Sequence, residues 1–104
     1  MFAACLFPDG QDAQSLLEKV DFKDKLDLIK VDVTKSEDLL AARVRVQQRM
    51  SEIGLTLHAI VNNAGVLKSN FVTLDSDPTV EDYEFQMNVN FYGVVRAIIN
   101  LANV

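Results

Sequence analysis

The sequence predicts an α/β fold with a parallel sheet, in the element order β-α-β-α-β-α. Three observations predict it: short apolar runs of strand length, helical apolar spacing between them, and short connections with turn and capping signals. Strands that alternate with helices in this way build a parallel sheet covered by helices. A chain of 104 residues has room for one modest domain, residues 1–104.

The composition is that of a globular protein and argues against several classes of function. Of the residues, 49% are hydrophobic and 24% are charged, and the net charge of -5 disfavours binding to nucleic acid or to an anionic membrane surface. One cysteine, Cys5, and one histidine, His58, provide neither an internal disulfide nor the usual zinc site, so we expect a reducing, intracellular compartment and no metal. The apolar run at residues 1–7 is too short for a signal peptide or a membrane span, and membrane association of a longer form stays open.

The first half of the chain reads as two strands and two helices. Residues 2–7 form an apolar run closed by a Pro-Asp-Gly turn, and residues 11–19 have helical spacing. The second strand covers residues 26–33, and Thr34 with Glu37 predicts a capping box for a helix that ends at Gly54 in a left-handed cap. The apolar side of that helix is predicted to carry Leu40, Val44, Gln47, Met50 and Ile53.

A third strand is predicted at residues 57–61, and it stops abruptly at Asn62-Asn63-Ala64-Gly65. Ligands of an open parallel sheet bind in the crevice beyond the carboxyl ends of the strands. Amide side chains donate and accept hydrogen bonds there, and glycine lets a ligand approach the backbone. An ordinary strand-to-turn junction explains these four residues equally well.

Asp77 and Pro78 predict the start of the last helix. Its expected apolar stripe contains Val80, Tyr83, Met87, Phe91, Val94, Ile98 and Leu101. Asn90 falls at the border of this stripe, where a polar amide needs partners. It is either an amide at the core edge bonded to nearby backbone or a functional residue.

Three motifs occur in an order that resembles one family: Val31-Asp32-Val33-Thr34, Asn62-Asn63-Ala64-Gly65 and Asn88-Val89-Asn90-Phe91-Tyr92-Gly93. Together they resemble the short-chain dehydrogenase/reductase family over nearly the whole chain. The opening Phe2-Ala3-Ala4-Cys5-Leu6 is similar to the second strand of its retinol, hydroxysteroid and hydroxybutyrate dehydrogenase branch. The resemblance implies a partial NAD(P)-binding Rossmann-type domain, a doubly wound parallel sheet, from an enzyme that interconverts alcohols and ketones.

The resemblance also assigns site residues. Asp32 is expected to contact the adenine amino group, helped by the backbone of Val33. The adenosine and ribose side of the cofactor crevice is expected to be lined by Asn62, Ala64 and Gly65. Asn90 corresponds to the family's catalytic asparagine, which holds a water in a proton relay with the active-site lysine.

The cofactor is NAD or NADP by this resemblance. The region at the end of the first strand carries no cation before Lys19 that could pair with a 2′-phosphate, which favours NAD. The substrate is expected to be a small alcohol or ketone, and branch similarity suggests a lipophilic one such as a steroid or retinoid.

Two parts of the family pattern are missing from this sequence. Its four glycines are scattered and form no glycine-rich turn to cradle a pyrophosphate. The family's general acid is a tyrosine with a lysine four residues later, but Tyr83 is followed at that distance by Met87 and Tyr92 by Arg96. We therefore expect a fragment of an oxidoreductase that is inactive as this chain alone.

Strand order supports the same expectation. The Rossmann order places the first strand between the second and the fourth. If the three predicted strands are the second, third and fourth, a gap of about 10 Å, two strand spacings, separates the last from the others. The alternative function is a noncatalytic interaction module that uses its last helix or its open strands, and a homo-oligomer through the helix at residues 80–101 is a further expectation.

Overall fold

The computed structural model describes residues 1–21, 25–68 and 77–104. It confirms an α/β architecture with a parallel sheet. The described elements are β1 Phe2–Cys5, α1 Gln11–Lys19, β2 Asp27–Lys30, α2 Ser36–Ile53, α3 Val80–Met87, a π-helical turn Asn88–Tyr92, and α4 Gly93–Leu101. The last three follow one another without a break, so they form one continuous helical segment.

The sheet consists of β1 and β2, which pair in parallel. Phe2 lies opposite Asp27 and Cys5 lies opposite Lys30. The ladder extends at both ends, where the Asp27 N–H donates to the Met1 carbonyl and the Val31 N–H donates to the Cys5 carbonyl, each at 2.9 Å. Helix α1 is the crossover that parallel strands require, and it has the bounds predicted from the sequence.

The predicted third strand is wrong as a hydrogen-bonded strand: residues 55–68 lie outside every helix and strand of the described chain. In the Rossmann order this segment pairs with the family's first strand, which lies between it and β1. No described strand occupies that position, so the backbone at residues 57–61 has no ladder to join. An open cleft takes the place of the strand.

Helix α2 begins differently from the prediction. Its N-cap residue is Lys35, without a side-chain cap, so the capping box expected from Thr34 and Glu37 is wrong. The Thr34 hydroxyl instead donates to Asp32 Oδ1 at 2.6 Å, because a carboxylate two residues away is a stronger acceptor than its alternatives. The C-terminal prediction is confirmed: Gly54 has φ of 65° and its N–H reaches the carbonyls of Met50 and Ser51.

The buried face of α2 also differs from the predicted face. It consists of Leu39, Ala42 and Val46, whereas Leu40 and Val44 are more than half exposed. These buried residues form the core with Ile29, Val31 and Ala97. Because α2 contacts both β2 and α4, the face it buries is set by those two neighbours rather than by the apolar spacing of the helix alone.

The last helical segment begins in a capping box that the sequence reading missed. Thr79 Oγ1 accepts from the Asp82 N–H at 3.3 Å, and Asp82 Oδ2 accepts from the Thr79 N–H at 3.1 Å. The predicted start, with Asp77 as cap and Pro78 as the first helical residue, is therefore wrong by two residues.

The apolar stripe predicted for this segment is largely exposed, and the buried residues are Val89, Gly93 and Ala97. A π-helical turn closes its hydrogen bonds over five residues instead of four, so it rotates every residue that follows it. A stripe drawn at regular α-helical spacing cannot continue through such a turn.

Candidate functional site

A cleft of about 790 Å³ lies at the open edge of the sheet. Its walls are β1, the end of β2, the buried face of α2, residues 55–66 and the buried side of the last helical segment. Five of the predicted site residues line it: Asp32, Val33, Asn62, Ala64 and Gly65. These residues are up to 33 positions apart in the chain, and they line the end of the cleft that lies between β1 and residues 55–66.

Asp32 is fixed just beyond the end of β2. Its Oδ1 accepts from the Thr34 hydroxyl at 2.6 Å and from the Thr34 N–H at 2.9 Å, and its own N–H donates to Asp38 Oδ2 at 2.9 Å. The pKa of the Asp32 carboxyl lies below its usual value of 3.8. Hydrogen bonds from the Thr34 hydroxyl and N–H are the main causes, and the nearby cations Lys35 and Arg96 add to them. The group is therefore an ionised acceptor at neutral pH.

Val33 lies against the last helical segment at close range. A Cβ added to Gly93 would come within 2.7 Å of Val33 Cγ2, so a residue without a side chain is required for this approach. The Val33 carbonyl accepts from Arg96 Nη1 at 3.2 Å. These two contacts dock the Asp32–Val33 loop onto the helix.

The Asn62-Asn63-Ala64-Gly65 stretch is exposed in the described structure. Within the part of the chain that is described, neither asparagine amide forms a hydrogen bond, and all four residues line the cleft. The stretch is positioned instead through the next residue, Val66. Asn90 Oδ1 accepts from the Val66 N–H at 2.7 Å, and Asn90 Nδ2 donates to the Val66 carbonyl at 2.8 Å.

Asn90 lies in the π-helical turn and is exposed. It is beside the cleft rather than among the residues that line it. π-Helical turns inside α-helices are frequent at functional sites. The amide uses one N–H and one oxygen lone pair for Val66, so a second N–H and a second lone pair stay available to a ligand or a water.

The sequence reading missed the residues that hold the turn. Arg96 donates to the carbonyl and to the side-chain Oδ1 of Asn88, at 3.2 and 2.8 Å, in addition to the Val33 carbonyl. The bond to Val33 joins residues 63 positions apart, so no local pattern could reveal it. Gly93 belongs to one of the motifs, but its close contact with Val33 also depends on tertiary packing.

Comparison with known proteins decides the family. A family model described as short chain dehydrogenase matches residues 5–103. The chain belongs to the short-chain dehydrogenase family. A mouse short-chain dehydrogenase/reductase family 9C member 7 is 36% identical over 97% of this chain, and a mouse 17-beta-hydroxysteroid dehydrogenase type 6 is likewise 36% identical over 97%.

Among solved structures, the NADPH-bound carbonyl reductase from chicken fatty liver superposes with a TM-score of 0.82 and 28% identity over 97% of this chain. The short-chain dehydrogenase chain described here spans 38% of that protein and about 30% of the two mouse relatives. The Rossmann-type fold and NAD(P) use by the family are thereby established, and the activity of the whole protein is a matter for proposal.

No described helix is long and apolar enough to cross a membrane. No group of three or more potential metal-ligating side chains occurs among residues 1–21, 25–68 and 77–104.

Proposed function

We propose that this chain forms the adenosine side of a dinucleotide site in an NAD(P)-dependent oxidoreductase that interconverts an alcohol and a ketone. The observation that carries the proposal is the pair of hydrogen-bonding groups at Asp32 and Val33. Both residues line the cleft at the carboxyl end of β2, beside the small and amide residues that follow residue 61.

The two groups are complementary to adenine. Asp32 Oδ2 accepts no hydrogen bond from any described residue, and the Val33 N–H donates none within the same part of the chain. Adenine presents an amino donor beside a ring-nitrogen acceptor, so a carboxylate acceptor beside an N–H donor matches that edge. An aspartate whose pKa lies at or below the ordinary value is ionised at neutral pH, so the Asp32 carboxylate is able to accept.

The opposite wall suits the ribose. Ala64 and Gly65 carry little or no side chain, so a sugar can approach their backbone closely. We propose that the Asn62 amide adds a donor and an acceptor for hydroxyl groups. Its amide has no partner in the described structure that would have to be displaced.

The residues present fit only this side of the cofactor. No glycine-rich turn for the pyrophosphate and no tyrosine with a lysine four residues later occur within residues 1–104. The bound dinucleotide would supply the hydride chemistry, and the positioned acid that such transfer needs would have to come from elsewhere. We therefore propose that this chain binds without turning over substrate by itself.

Asn90 is proposed as the catalytic asparagine of the complete enzyme. Its exposed amide keeps one N–H and one lone pair free while Val66 holds the other two, so it can bind a water in a fixed orientation. In the complete enzyme this water would relay protons with the active-site lysine of the family.

NAD is proposed in preference to NADP. The residues directly after β1 include Asp9 and no cation, which disfavours a 2′-phosphate. A lipophilic alcohol such as a steroid or retinoid is proposed as substrate because one mouse relative is a hydroxysteroid dehydrogenase.

Self-association through the last helical segment is a further proposal. Phe91, Ile98 and Ile99 are each about half exposed or more on its outer side, and burying such residues against a second copy is favourable. Sedimentation of the purified protein over a range of concentrations tests this.

The test of the adenine site is a titration with 5′-AMP and with inosine 5′-monophosphate, followed by NMR or calorimetry. Inosine reverses the donor and acceptor on the edge that Asp32 and Val33 face, so we expect AMP to bind and inosine monophosphate to bind at least about tenfold more weakly. Equal affinities for the two nucleotides would overturn the proposal. Adenosine 2′,5′-bisphosphate, expected to bind more weakly than AMP, tests the preference for NAD.

A matched pair of variants locates the site. Asp32→Asn replaces the carboxylate by an amide and should weaken AMP binding about tenfold. Asp27→Asn is the control, because the Asp27 carboxylate pairs with Arg45 and Arg49 at 3.5 and 3.7 Å and does not line the cleft. Equal effects of the two substitutions would contradict the assignment of Asp32.

A further inference from the structure

We propose that Arg96 is a positioning residue that couples the adenine-contacting loop to the turn that carries Asn90. The proposal rests on the proposed function, because that function assigns the two ends that Arg96 connects. The guanidinium is partly buried between the end of β2 and the last helical segment.

The Arg96 guanidinium contacts both the Val33 loop and the π-helical turn. Nη1 donates to the Val33 carbonyl and to the Asn88 carbonyl, each at 3.2 Å, and Nη2 donates to Asn88 Oδ1 at 2.8 Å. The planar fork of arginine fixes these donors relative to one another, so the Val33 loop and the turn cannot move independently while all three bonds are made.

Arg96 forms no ion pair within 4 Å among the described residues. Its positive charge is stabilised instead by two carbonyl oxygens and an amide oxygen. Its charge is also the smallest of the causes that lower the pKa of Asp32.

Asn88 and Asn90 are connected because both lie in the π-helical turn Asn88–Tyr92. Asn90 in turn binds the backbone of Val66 at the end of the Asn-Asn-Ala-Gly stretch. Gly93 allows Val33 to press against the same turn. The turn therefore contacts the Val33 loop through Arg96, and it contacts the end of the Asn-Asn-Ala-Gly stretch through Asn90.

Hydrogen exchange tests the coupling, measured by mass spectrometry on the protein at its natural length. We expect Arg96→Gln to raise the exchange rate severalfold both at residues 31–34 and at residues 64–67. Arg96→Lys keeps the charge but lacks the fork, so it should raise both rates by a smaller factor. The peptide of residues 39–46 in α2 reports whether the core stays folded, and if Arg96→Gln opens that peptide too, the comparison is made with Arg96→Lys.

The matched control is Arg45→Gln, because the Arg45 side chain is exposed, pairs with Asp27 at 3.5 Å and does not line the cleft. It should leave both walls of the cleft unchanged. If exchange at residues 64–67 is the same in the Arg96 variants as in the wild type, or rises equally in Arg45→Gln, the coupling is overturned.

The side-chain amide of Asn90 gives a second readout that a general loss of stability would not produce. Its NH₂ resonances should shift in Arg96→Lys under conditions where the core amides of α2 stay unshifted. The result is separable from the proposed function: a wild-type protein that fails to bind AMP refutes the adenine site, whereas unaltered exchange and Asn90 resonances refute the coupling.

Discussion

Asn90 pairs with both backbone polar groups of Val66, through Oδ1 at 2.7 Å and Nδ2 at 2.8 Å. This side chain therefore makes the two hydrogen bonds that a neighbouring strand would otherwise make at that residue. The segment before Val66 has no strand pairing in the described structure, so its position depends on this contact more than a sheet strand would. The residue proposed as the catalytic asparagine therefore also holds one wall of the cleft.

Removing the amide should loosen that wall. We expect Asn90→Ala to raise the exchange rate of the Val66 amide and to lower the free energy of unfolding by about 1 kcal/mol, the usual net value of exposed or half-exposed hydrogen bonds. Asn90→Asp keeps the acceptor for the Val66 N–H but loses the donor, so its effect on exchange should be smaller. Asn63→Ala is the control, since Asn63 forms no hydrogen bond within the described residues. Equal exchange at Val66 in Asn90→Ala and in the wild type would contradict the role of Asn90 in holding this wall.

In the complete enzyme, Asn90→Ala should lower turnover more than cofactor affinity.

Gly93 and Val33 form the tightest contact between the last helical segment and the end of β2. A Cβ on Gly93 would lie 2.7 Å from Val33 Cγ2 and 3.0 Å from Val33 Cβ, so Gly93→Ala forces the loop away. Overpacking costs about 1–3 kcal/mol, and replacing a helical glycine by alanine returns about 1 kcal/mol, so we expect a net loss of about 1 kcal/mol in urea unfolding.

A double-mutant cycle isolates this contact. In a Val33→Ala background the clash disappears, and Gly93→Ala should then be neutral or stabilising. The same loss in both backgrounds would show that the clash with Val33 is not its cause.

The adjacent leucines of α2 test which face of that helix is buried. Leu39 is 2% exposed and Leu40 is 56% exposed. Leu39→Ala should lower the free energy of unfolding by about 2–5 kcal/mol, whereas Leu40→Ala should change it by less than about 0.5 kcal/mol. Urea unfolding of both variants is the measurement. If Leu39→Ala does not fold, Leu39→Val, with an expected loss of about 1 kcal/mol, serves in its place. Similar effects of the two alanine variants would refute this orientation of the helix.

These residues show what the sequence could and could not predict. The bounds of α1 and the left-handed cap at Gly54 follow from local turn and capping chemistry, so they were predictable. The buried face of α2 was not, because Leu39 and Leu40 are equally apolar and their neighbours in space decide between them. The segment at residues 57–61 has the composition of a strand, but a strand also needs a partner for its backbone.

The candidate site was also predictable only in part. The motifs pointed to Asp32 and to the Asn-Asn-Ala-Gly stretch, and the structure places both in one cleft. Arg96 carried no signal, since its contact with Val33 spans 63 residues and exists only in the folded chain. The apolar stripe predicted for the last helix was wrong because a π-helical turn interrupts the regular α-helical period.

The Asp32 carboxyl gives a prediction for pH. Hydrogen bonds from the Thr34 hydroxyl and N–H lower its pKa below the ordinary 3.8, so ionised Asp32 stabilises the folded state. Since the folded pKa is the lower one, this stabilisation is complete well above pH 3.8 and is lost as the pH falls through the folded pKa. Thr34→Val removes the hydroxyl donor and keeps the shape, so the pKa of Asp32 should rise towards 3.8 and the loss of stability in acid should become shallower. An NMR titration of the carboxyl carbons measures this directly.

Thr79→Val is the matched control for that titration. Asp82 also has a lowered pKa, caused first by the Thr79 N–H and in smaller part by the Lys68 side chain and the Thr79 hydroxyl. Thr79→Val should therefore raise the pKa of Asp82 slightly and leave that of Asp32 unchanged, whereas Thr34→Val should do the reverse. An Asp32 pKa that is the same with Thr34 and with Val at this position would show that the hydroxyl bond of 2.6 Å does not lower it. The lowered pKa would then be due to the Thr34 N–H and to the charges of Lys35 and Arg96.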